Sequence, residues 1–283
     1  MENKTLKVLK IKKLDPDLEK KLQHLGEIII NAESVLVAFS GGVDSTFLAR
    51  LCHLFLEENV LAVTARSATF PKREQHQAEA LATKWGMAHQ FFDSSEVDLA
   101  EFAANPPDRC FFCKQTLFSQ LKQIAVEKKL AVVFDGSNAD DCDDFRPGRM
   151  AAKELCIRSP LEDAGLTKNE IRAISKAMEL PTWDKPAAAC LASRFPYYAP
   201  ITKVALNQVE KAEDFLWELG FRVYRVRHHD TIARLELGPV EMESLWDYKD
   251  KIVVRLKALG YLHVAVDLQG YRTGSMNEAI KTT

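Results

Sequence analysis

The sequence predicts an α/β protein in which a doubly wound parallel sheet is followed by a small α+β domain. Short, uninterrupted apolar segments such as 35–39 and 131–135 are typical of buried parallel strands. Helical patterns alternate with these segments, as they do in doubly wound folds. The pattern of predicted strands and helices changes near residue 195. We therefore expect one domain over residues 1–195 and a second over residues 196–283.

The elements of the first domain follow from local signals. Asp15 and Pro16 are typical of the cap and first turn of a helix. Thr167 and Glu170 have the spacing of a capping box, which predicts a helix through Met178. Between them we expect strands at about 35–39, 60–65, 90–93 and 131–135, and helices at about 45–57, 71–86 and 112–128.

The second domain begins after a linker bracketed by Pro196 and Pro200. A helical pattern over about 202–220 precedes two strands separated by the polar turn 228–230. The expected strands are 222–227, 231–237 and 263–268, with two further helices before the last of them.

Composition narrows the class of protein. A formal net charge of −2 argues against a broad nucleic-acid surface, so we expect no nucleic-acid partner. Apolar runs are far shorter than the ~18 residues of a membrane span, and no cleavable signal follows the Lys-rich residues 1–13. Six cysteines in 283 residues are too sparse for a disulfide scaffold. We expect a cytoplasmic enzyme without a membrane segment, in which Cys52 and Cys156 are core residues.

A phosphate-binding loop is predicted at Ser40-Gly41-Gly42-Val43-Asp44-Ser45, between an apolar strand and a helix. Backbone N–H groups and the helix dipole converge there on one point, which favours an anion. The two glycines permit close approach of a phosphate, the serines donate hydroxyls, and Asp44 can hold Mg²⁺. A Gly-Lys-Ser/Thr sequence is missing, so the loop is not a Walker A loop.

The strand, loop and helix resemble the PP-loop ATP pyrophosphatase superfamily, with its adenine nucleotide alpha hydrolase-like fold. The resemblance implies cleavage of ATP between the α and β phosphates. A simple glycine turn is the alternative for the loop, and a surface loop is the alternative for residues 135–136. Ligands of such sheets bind beyond the carboxyl ends of the strands. The residues assigned to ATP and Mg²⁺ are Ala38, Ser40, Gly41, Gly42, Asp44, Ser45, Ala65, Ser67 and Gly136.

Three cysteines form a candidate metal site. Cys110 and Cys113 are a CxxC pair at a helix N-terminus, where the dipole favours the thiolate. Cys190, in a run of small residues, is the natural third ligand. Three thiolates with one open position suit an iron–sulfur cluster or zinc, and the spacing does not choose between them. Three unrelated thiols are the alternative.

Charged side chains alternate along the strands of the second domain. Arg225 and Arg227 share one face of their strand, and Arg234 and Glu236 share one face of the next. Arginines on neighbouring strands repel one another unless an anion or acid compensates them. A bound phosphate would do so through bidentate hydrogen bonds. A solvated face of the sheet is the alternative.

Six segments together resemble the LarE family, the pyridinium biscarboxylic acid mononucleotide sulfurtransferases of nickel-pincer cofactor synthesis. The segments are SGGVDS (40–45), PDRCFFCK (107–114), DGSNADDCDDFRPG (135–148), KPAAACLASRFPY (185–197), YRVRHHDTIARLEL (224–237) and VDLQGYRTGSMN (266–277). The similarity extends from about residue 30 to the C-terminus, and the later segments are more specific than the loop.

The LarE resemblance implies a homo-oligomer that adenylates a substrate carboxylate and then replaces AMP with sulfur. It implies that Arg225 and Arg227 bind the phosphate of a small mononucleotide, and it assigns no partner beyond a sulfur donor such as hydrosulfide or a sulfur carrier. Catalytic roles are expected for Cys190, Asp44, Ser193 and Glu213, and substrate contacts for Arg225, Arg227, Arg234, Glu236 and Asp267.

The family has two branches, which differ in the source of the sulfur. One branch sacrifices a single cysteine, and the other carries a 4Fe-4S cluster on three. The CxxC pair together with Cys190 places this chain with the cluster branch, although Cys190 as a sacrificed donor stays open. Alternative functions are a tRNA thiolase, an ammonia-dependent adenylating synthetase and a nucleotide-binding regulator without turnover.

Overall fold

The computed structural model describes residues 14–143, 147–186 and 189–272, together with Leu9 and Ile11. The described chain divides into two compact units. One comprises 1–66, 72–94 and 110–188, and the other comprises 67–71, 95–109 and 189–283. Parts of three motifs, residues 144–146, 187–188 and 273–277, lie outside the described residues.

Helices and strands alternate along the chain as predicted. The strands are β1 (Val35–Ala38), β2 (Val60–Arg66), β3 (His89–Asp93), β4 (Val132–Phe134), β5 (Tyr224–His229), β6 (Ile232–Leu237) and β7 (His263–Val266). The helices are α1 (Pro16–Ile30), α2 (Val43–Leu56), α3 (Lys72–Trp85), α4 (Ala100–Ala103), α5 (Arg109–Glu127), α6 (Pro147–Glu154), α7 (Pro160–Asp163), α8 (Lys168–Ala177), α9 (Lys203–Glu218) and α10 (Pro239–Ala258). Short 3-10 turns occur at Glu57–Asn59, Glu96–Asp98, Ala139–Asp143 and Leu191–Arg194.

A parallel sheet with the strand order β3-β2-β1-β4 forms the centre of the first unit, which confirms the predicted α/β class. Alternate residues of β1 point to opposite faces. Val35 and Val37 belong to one buried cluster, and Leu36 belongs to the other. Helices therefore cover both faces of the sheet. The chain leaves β1 toward β2 on one side and returns to β4 on the other, so the loop after β1 lies at the topological switch point.

Two predicted helix starts are confirmed in atomic detail. The Asp15 side chain accepts a hydrogen bond from the backbone N–H of Asp17, with Pro16 in the first turn of α1. Thr167 and Glu170 form a reciprocal capping box at the start of α8. Both signals are local, which is why the sequence alone was sufficient to place them.

The second unit contains a three-stranded sheet with the order β5-β6-β7, in which β5 and β6 are antiparallel and β6 and β7 are parallel. Its apolar face packs on α9 and α10. The expectation of two helices before the last strand is wrong, because α10 runs without a break from Pro239 to Ala258. After the proline in its first turn, this segment contains no glycine or proline to interrupt a helix.

Two further expectations need correction. α5 begins at Arg109 rather than near Phe112, so Cys110 and Cys113 are the second and fifth residues of the helix. Cys156 is exposed rather than in the core, with a φ of 52° in the turn that ends α6, whereas Cys52 is fully buried as predicted. Among the described residues, no helix combines the length and apolar character that crossing a membrane requires.

Candidate functional site

The predicted phosphate loop has the geometry of an anion cradle. Gly41 adopts a φ of 65°, and a Cβ at this position would lie 3.1 Å from the Cβ of Ala78. Gly42 is the N-cap residue of α2 and has no side chain with which to cap the first-turn N–H groups. These N–H groups and the positive end of the helix dipole are thus available to an anionic ligand.

Hydrogen bonds between two serines hold the two ends of the loop together. The Ser45 Oγ accepts a hydrogen bond from the Ser40 backbone N–H at 3.2 Å and lies 3.0 Å from the Ser40 Oγ. Ser45 is buried, whereas Ser40 is exposed. The two serines therefore fix the loop, and the Ser40 hydroxyl lies on its solvent side.

Asp44 carries the negative charge of the loop. Its Oδ2 is ion-paired with the Lys168 ammonium at the start of α8. Its Oδ1 is buried and accepts no hydrogen bond within the described part of the chain. A buried carboxylate oxygen without a hydrogen bond favours a nearby cation or hydrogen-bond donor. Asp44 therefore fits the predicted role as a Mg²⁺ ligand.

A second lysine holds the glycine of the loop. The Lys185 ammonium donates to the Gly41 carbonyl at 3.0 Å and lies 2.5 Å from the Glu74 carboxylate on α3. Both charged side chains are largely buried, with 15% and 10% exposure. This ion pair therefore connects the loop to α3 on one side and to the segment after α8 on the other.

The segment that follows β4 comes close to the loop. A Cβ added to Gly136 would lie 3.1 Å from the backbone nitrogen of Ser45. The preceding Asp135 accepts hydrogen bonds from the hydroxyls of Ser137 (2.8 Å) and Ser159 (2.7 Å). A side chain at this position would force the two backbones apart by a few tenths of an ångström, so glycine favours their close approach and supports the assignment of Gly136 to the cradle.

Other residues assigned to the nucleotide lie at strand ends. Ala38 is the last residue of β1, and Ala65 is the penultimate residue of β2. Ser67 belongs to the second unit, where its hydroxyl lies 2.8 Å from the Thr69 hydroxyl and donates to the Glu96 carboxylate. Because Glu96 is only 2% exposed, Ser67 is held in place by a buried acid.

The charged residues of the hairpin face one another. The register pairs Arg225 with Glu236 and Arg227 with Arg234. Arg227 lies 2.6 Å from the Glu236 carboxylate, and Arg234 lies 3.2 Å from it. Arg234 also pairs with Asp267, which follows β7. Glu236 and Asp267 thus compensate Arg227 and Arg234, and Arg225 lies opposite Glu236 in the register.

Arg225 lies among other charged side chains. Burial, followed by the positive charge of Arg194, lowers the pKa of its guanidinium. Its guanidinium carbon lies 5.1 Å from the ring centroid of Tyr271. The negative charge of Glu213 acts on this pKa in the opposite direction. Phosphate binding by Arg225 therefore stays a prediction.

A buried ion pair connects the Cys190 segment to α9, and a hydrogen bond from Arg227 connects the segment to the hairpin. Arg194 donates to both carboxylate oxygens of Glu213, at 2.8 and 2.9 Å. Its other nitrogen donates to the carbonyl of Cys190 at 3.2 Å and to the hydroxyl of Ser193 at 2.9 Å. Arg227 donates to the Ser193 carbonyl at 2.6 Å. The structure thus joins Ser193, Glu213 and the arginine face in one network.

The Arg194–Glu213 ion pair lowers the pKa of the Glu213 carboxyl group. Burial alone raises the pKa of Glu213, but the charge and hydrogen bonds of Arg194 outweigh burial and hold that pKa below the ordinary value for a glutamate. The backbone N–H of Val226 adds a further hydrogen bond at 3.0 Å. Glu213 is therefore ionised and serves as an acceptor rather than as a proton donor at neutral pH.

The three candidate cysteines differ in exposure. Cys110 and Cys113 lie three residues apart at the start of α5, and Cys110 and Cys190 are exposed. None of the three forms a disulfide. Within the described residues, no three side chains of His, Cys, Asp or Glu are grouped closely enough to hold a metal ion. The thiols fit the chemistry of a cluster ligand, and their joint ligation stays a prediction.

Lys168, Lys185 and Arg194 have no role in the sequence-based assignment. Lys185 and Arg194 lie within the KPAAACLASRFPY motif, so the motif itself was the signal. Lys168 follows the predicted helix cap, and no motif marks it. Its partner Asp44 is 124 positions away in the chain, which only the fold reveals.

Comparison with known proteins extends these observations. A family model described as NAD synthase matches residues 17–109. An uncharacterized protein of Synechocystis sp. is 39% identical over 93% of this chain and 99% of its own length. The pyridinium-3,5-bisthiocarboxylic acid mononucleotide synthase of Lactiplantibacillus plantarum is 36% identical over 88% of this chain and 90% of its own. An NH(3)-dependent NAD(+) synthetase of Thermoplasma volcanium is 35% identical over 26% of this chain and 32% of its own.

The parallel sheet, the cradle at its switch point and the NAD synthase match define an ATP-using enzyme of the PP-loop class. Similarity to the NAD(+) synthetase covers a quarter of the chain, whereas similarity to the mononucleotide synthase extends over most of both proteins. The chain belongs to the LarE family.

Proposed function

We propose that this protein is an ATP-dependent sulfurtransferase that converts a carboxylate of pyridinium-3,5-biscarboxylic acid mononucleotide into a thiocarboxylate. The observation that carries the proposal is the cradle of Gly41, Asp44, Ser45 and Gly136, found in a chain that is similar over most of its length to a mononucleotide synthase. The cradle supports activation of the substrate, and the similarity supports its identity.

In the proposed reaction, the substrate carboxylate attacks the α-phosphate of ATP and pyrophosphate leaves. A hydrosulfide or a sulfur carrier then supplies sulfur to the acyl carbon, and AMP departs with one of the original carboxylate oxygens. Residues 1–195 would provide the cradle, with Mg²⁺ held by Asp44. Residues 196–283 would bind the mononucleotide and contribute to a homo-oligomer.

Arg225 and Arg227 have distinct tasks in this proposal. Arg227 is 5% exposed and lies between Glu236 and the Ser193 carbonyl, so its main task is to hold the turn that carries Ser193. Arg225, whose pKa is lowered by burial and by Arg194, is the better candidate for the substrate phosphate. Arg234, Glu236 and Asp267 would then position the arginine face.

Three cysteines would deliver the sulfur. Cys110, Cys113 and Cys190 would hold a 4Fe-4S cluster, whose chemistry would be to carry sulfur without consuming a protein atom. The position of Cys110 and Cys113 at the start of α5 and the Arg194 guanidinium near Cys190 support ligation. The proposal places the enzyme in the cytoplasm, where exposed thiols stay reduced.

Pyrophosphate release tests the proposed substrate. The purified protein is mixed with Mg·ATP and, separately, with the mononucleotide, with tRNA, and with deamido-NAD plus ammonia. Release with the mononucleotide alone supports the proposal. Release with tRNA would indicate the thiolase alternative, and release with deamido-NAD and ammonia would indicate the synthetase suggested by the NAD synthase match.

Iron analysis and intact mass test the sulfur source. Protein purified without oxygen should contain iron and sulfide, and its mass should not change after turnover. Iron-free protein that turns over once and loses one H₂S at Cys190 would show that the cysteine is consumed instead.

A further inference from the structure

One ion pair of the phosphate loop does not fit a purely structural role. The Lys168 ammonium contacts Oδ2 of Asp44, the carboxylate proposed to hold Mg²⁺, while Oδ1 of the same group is buried without a hydrogen bond among the described residues. Although the pair itself is partly exposed, with side-chain exposures of 29% and 21%, a buried carboxylate oxygen normally accepts a hydrogen bond. In Asp44, only Oδ2 has a partner among the described residues, as expected of a carboxylate that binds a second cation.

The backbone of Lys168 is fixed, whereas its side chain is partly exposed. The Lys168 N–H donates to Asp140 at 2.8 Å, and the capping box of Thr167 and Glu170 holds the first turn of α8. Lys21 adds an ion pair to Glu170 at 2.8 Å. The Lys168 side chain is 29% exposed and has four rotatable carbons, so its ammonium can move while the helix stays in place.

We propose that Lys168 is a placeholder for the metal ion at Asp44, and that it moves to a phosphate oxygen when Mg·ATP binds. The inference rests on the proposed use of ATP. In the nucleotide-free protein the ammonium neutralises Asp44, so the carboxylate does not repel an incoming triphosphate. When the metal takes over the carboxylate, the ammonium becomes available to the phosphates.

This exchange predicts opposite effects on two ligands. In Lys168→Met, a metal ion alone no longer competes with an ammonium for Asp44. Mn²⁺ should therefore bind about fivefold more tightly. This factor corresponds to removal of an ion pair worth about 1 kcal/mol. Mg·ATP should bind at least about tenfold more weakly, because a charge-assisted contact to phosphate is lost. A merely structural lysine would weaken both or neither.

Electron paramagnetic resonance of Mn²⁺ and calorimetry of Mg·ATP provide the two measurements on the full chain. Lys21→Met is the matched control, because it removes an ion pair to the same helix without touching Asp44, and it should leave both affinities unchanged. Asp44→Asn identifies the Mn²⁺ signal that belongs to the loop. Lys168→Gln should repeat the result of Lys168→Met.

Two outcomes separate this inference from the proposed function. Wild-type protein that binds no Mg·ATP contradicts the proposed function itself. Wild-type protein that binds Mg·ATP, together with a Lys168→Met variant whose Mn²⁺ affinity is equal to or lower than that of the wild type, overturns the placeholder role alone.

Discussion

Gly41→Ala tests whether the loop geometry is the basis of ATP binding. Gly41 has a φ of 65°, and Gly86, in the turn after α3, has a φ of 64°. A Cβ at Gly41 would meet Ala78 at 3.1 Å, whereas a Cβ at Gly86 would meet nothing within 4 Å. Gly86→Ala is thus a matched control that has the same backbone strain without the crowding.

The expected magnitudes follow from this difference. The left-handed conformation costs alanine about 1 kcal/mol at either position, which lowers the melting temperature of a domain of this size by about 2–4 °C. At Gly41 the loop must also shift by a few tenths of an ångström. Loss of one charge-assisted hydrogen bond to phosphate weakens binding by about tenfold or more.

Calorimetric titration of Mg·ATP and thermal unfolding of both variants complete the test. Gly86→Ala should lose stability and keep its ATP affinity within about twofold of the wild type, while Gly41→Ala loses both. Equal ATP affinities in the two variants would show that the approach of Gly41 to Ala78 does not shape the nucleotide site.

Three further predictions concern single side chains. Asp44→Asn should abolish pyrophosphate release while changing the melting temperature by only a few degrees, since the lost charge serves the ligand rather than the core; unchanged release would contradict this role. Arg225→Ala should raise the KM for the mononucleotide by about tenfold and leave the KM for ATP unchanged; the exposed Arg222→Ala serves as its control, and a change confined to ATP would reverse the assignment. The stability contributed by ionised Glu213 should be complete above its unfolded pKa of about 4.3 and decline as the pH falls below that value, because Arg194 holds the folded pKa lower. Glu213→Gln should lower stability at pH 7 and remove this part of the acid dependence, which urea unfolding at several pH values measures.

The fold was predictable from the sequence where its causes are local. Asp15 and Thr167 accept hydrogen bonds from residues two or three positions away, so their sequence spacing is sufficient. The apolar run of β1 likewise predicts a strand covered on both faces. The extent of α10 was less predictable, because the polar stretch 247–251 resembles a break although it is mostly a solvated surface of one helix.

The candidate site was predictable only in part, for a physical reason. The glycines and Asp44 lie in one short motif, whereas Lys185 reaches Gly41 across 144 positions of sequence. The Arg194–Glu213 pair is also determined by packing, since both residues are buried only after α9 and β5 come together. Such pairings depend on tertiary contacts, which hydrophobic periodicity does not encode.

The fate of a labelled oxygen tests the central claim most directly. The mononucleotide is prepared with ¹⁸O in its carboxylates and incubated with the protein, Mg·ATP and hydrosulfide, and the nucleotide products are analysed by mass spectrometry. Adenylation of the carboxylate predicts AMP that carries one ¹⁸O atom, formed together with pyrophosphate. ADP as the main product, or AMP without the label, would contradict the proposed adenylation.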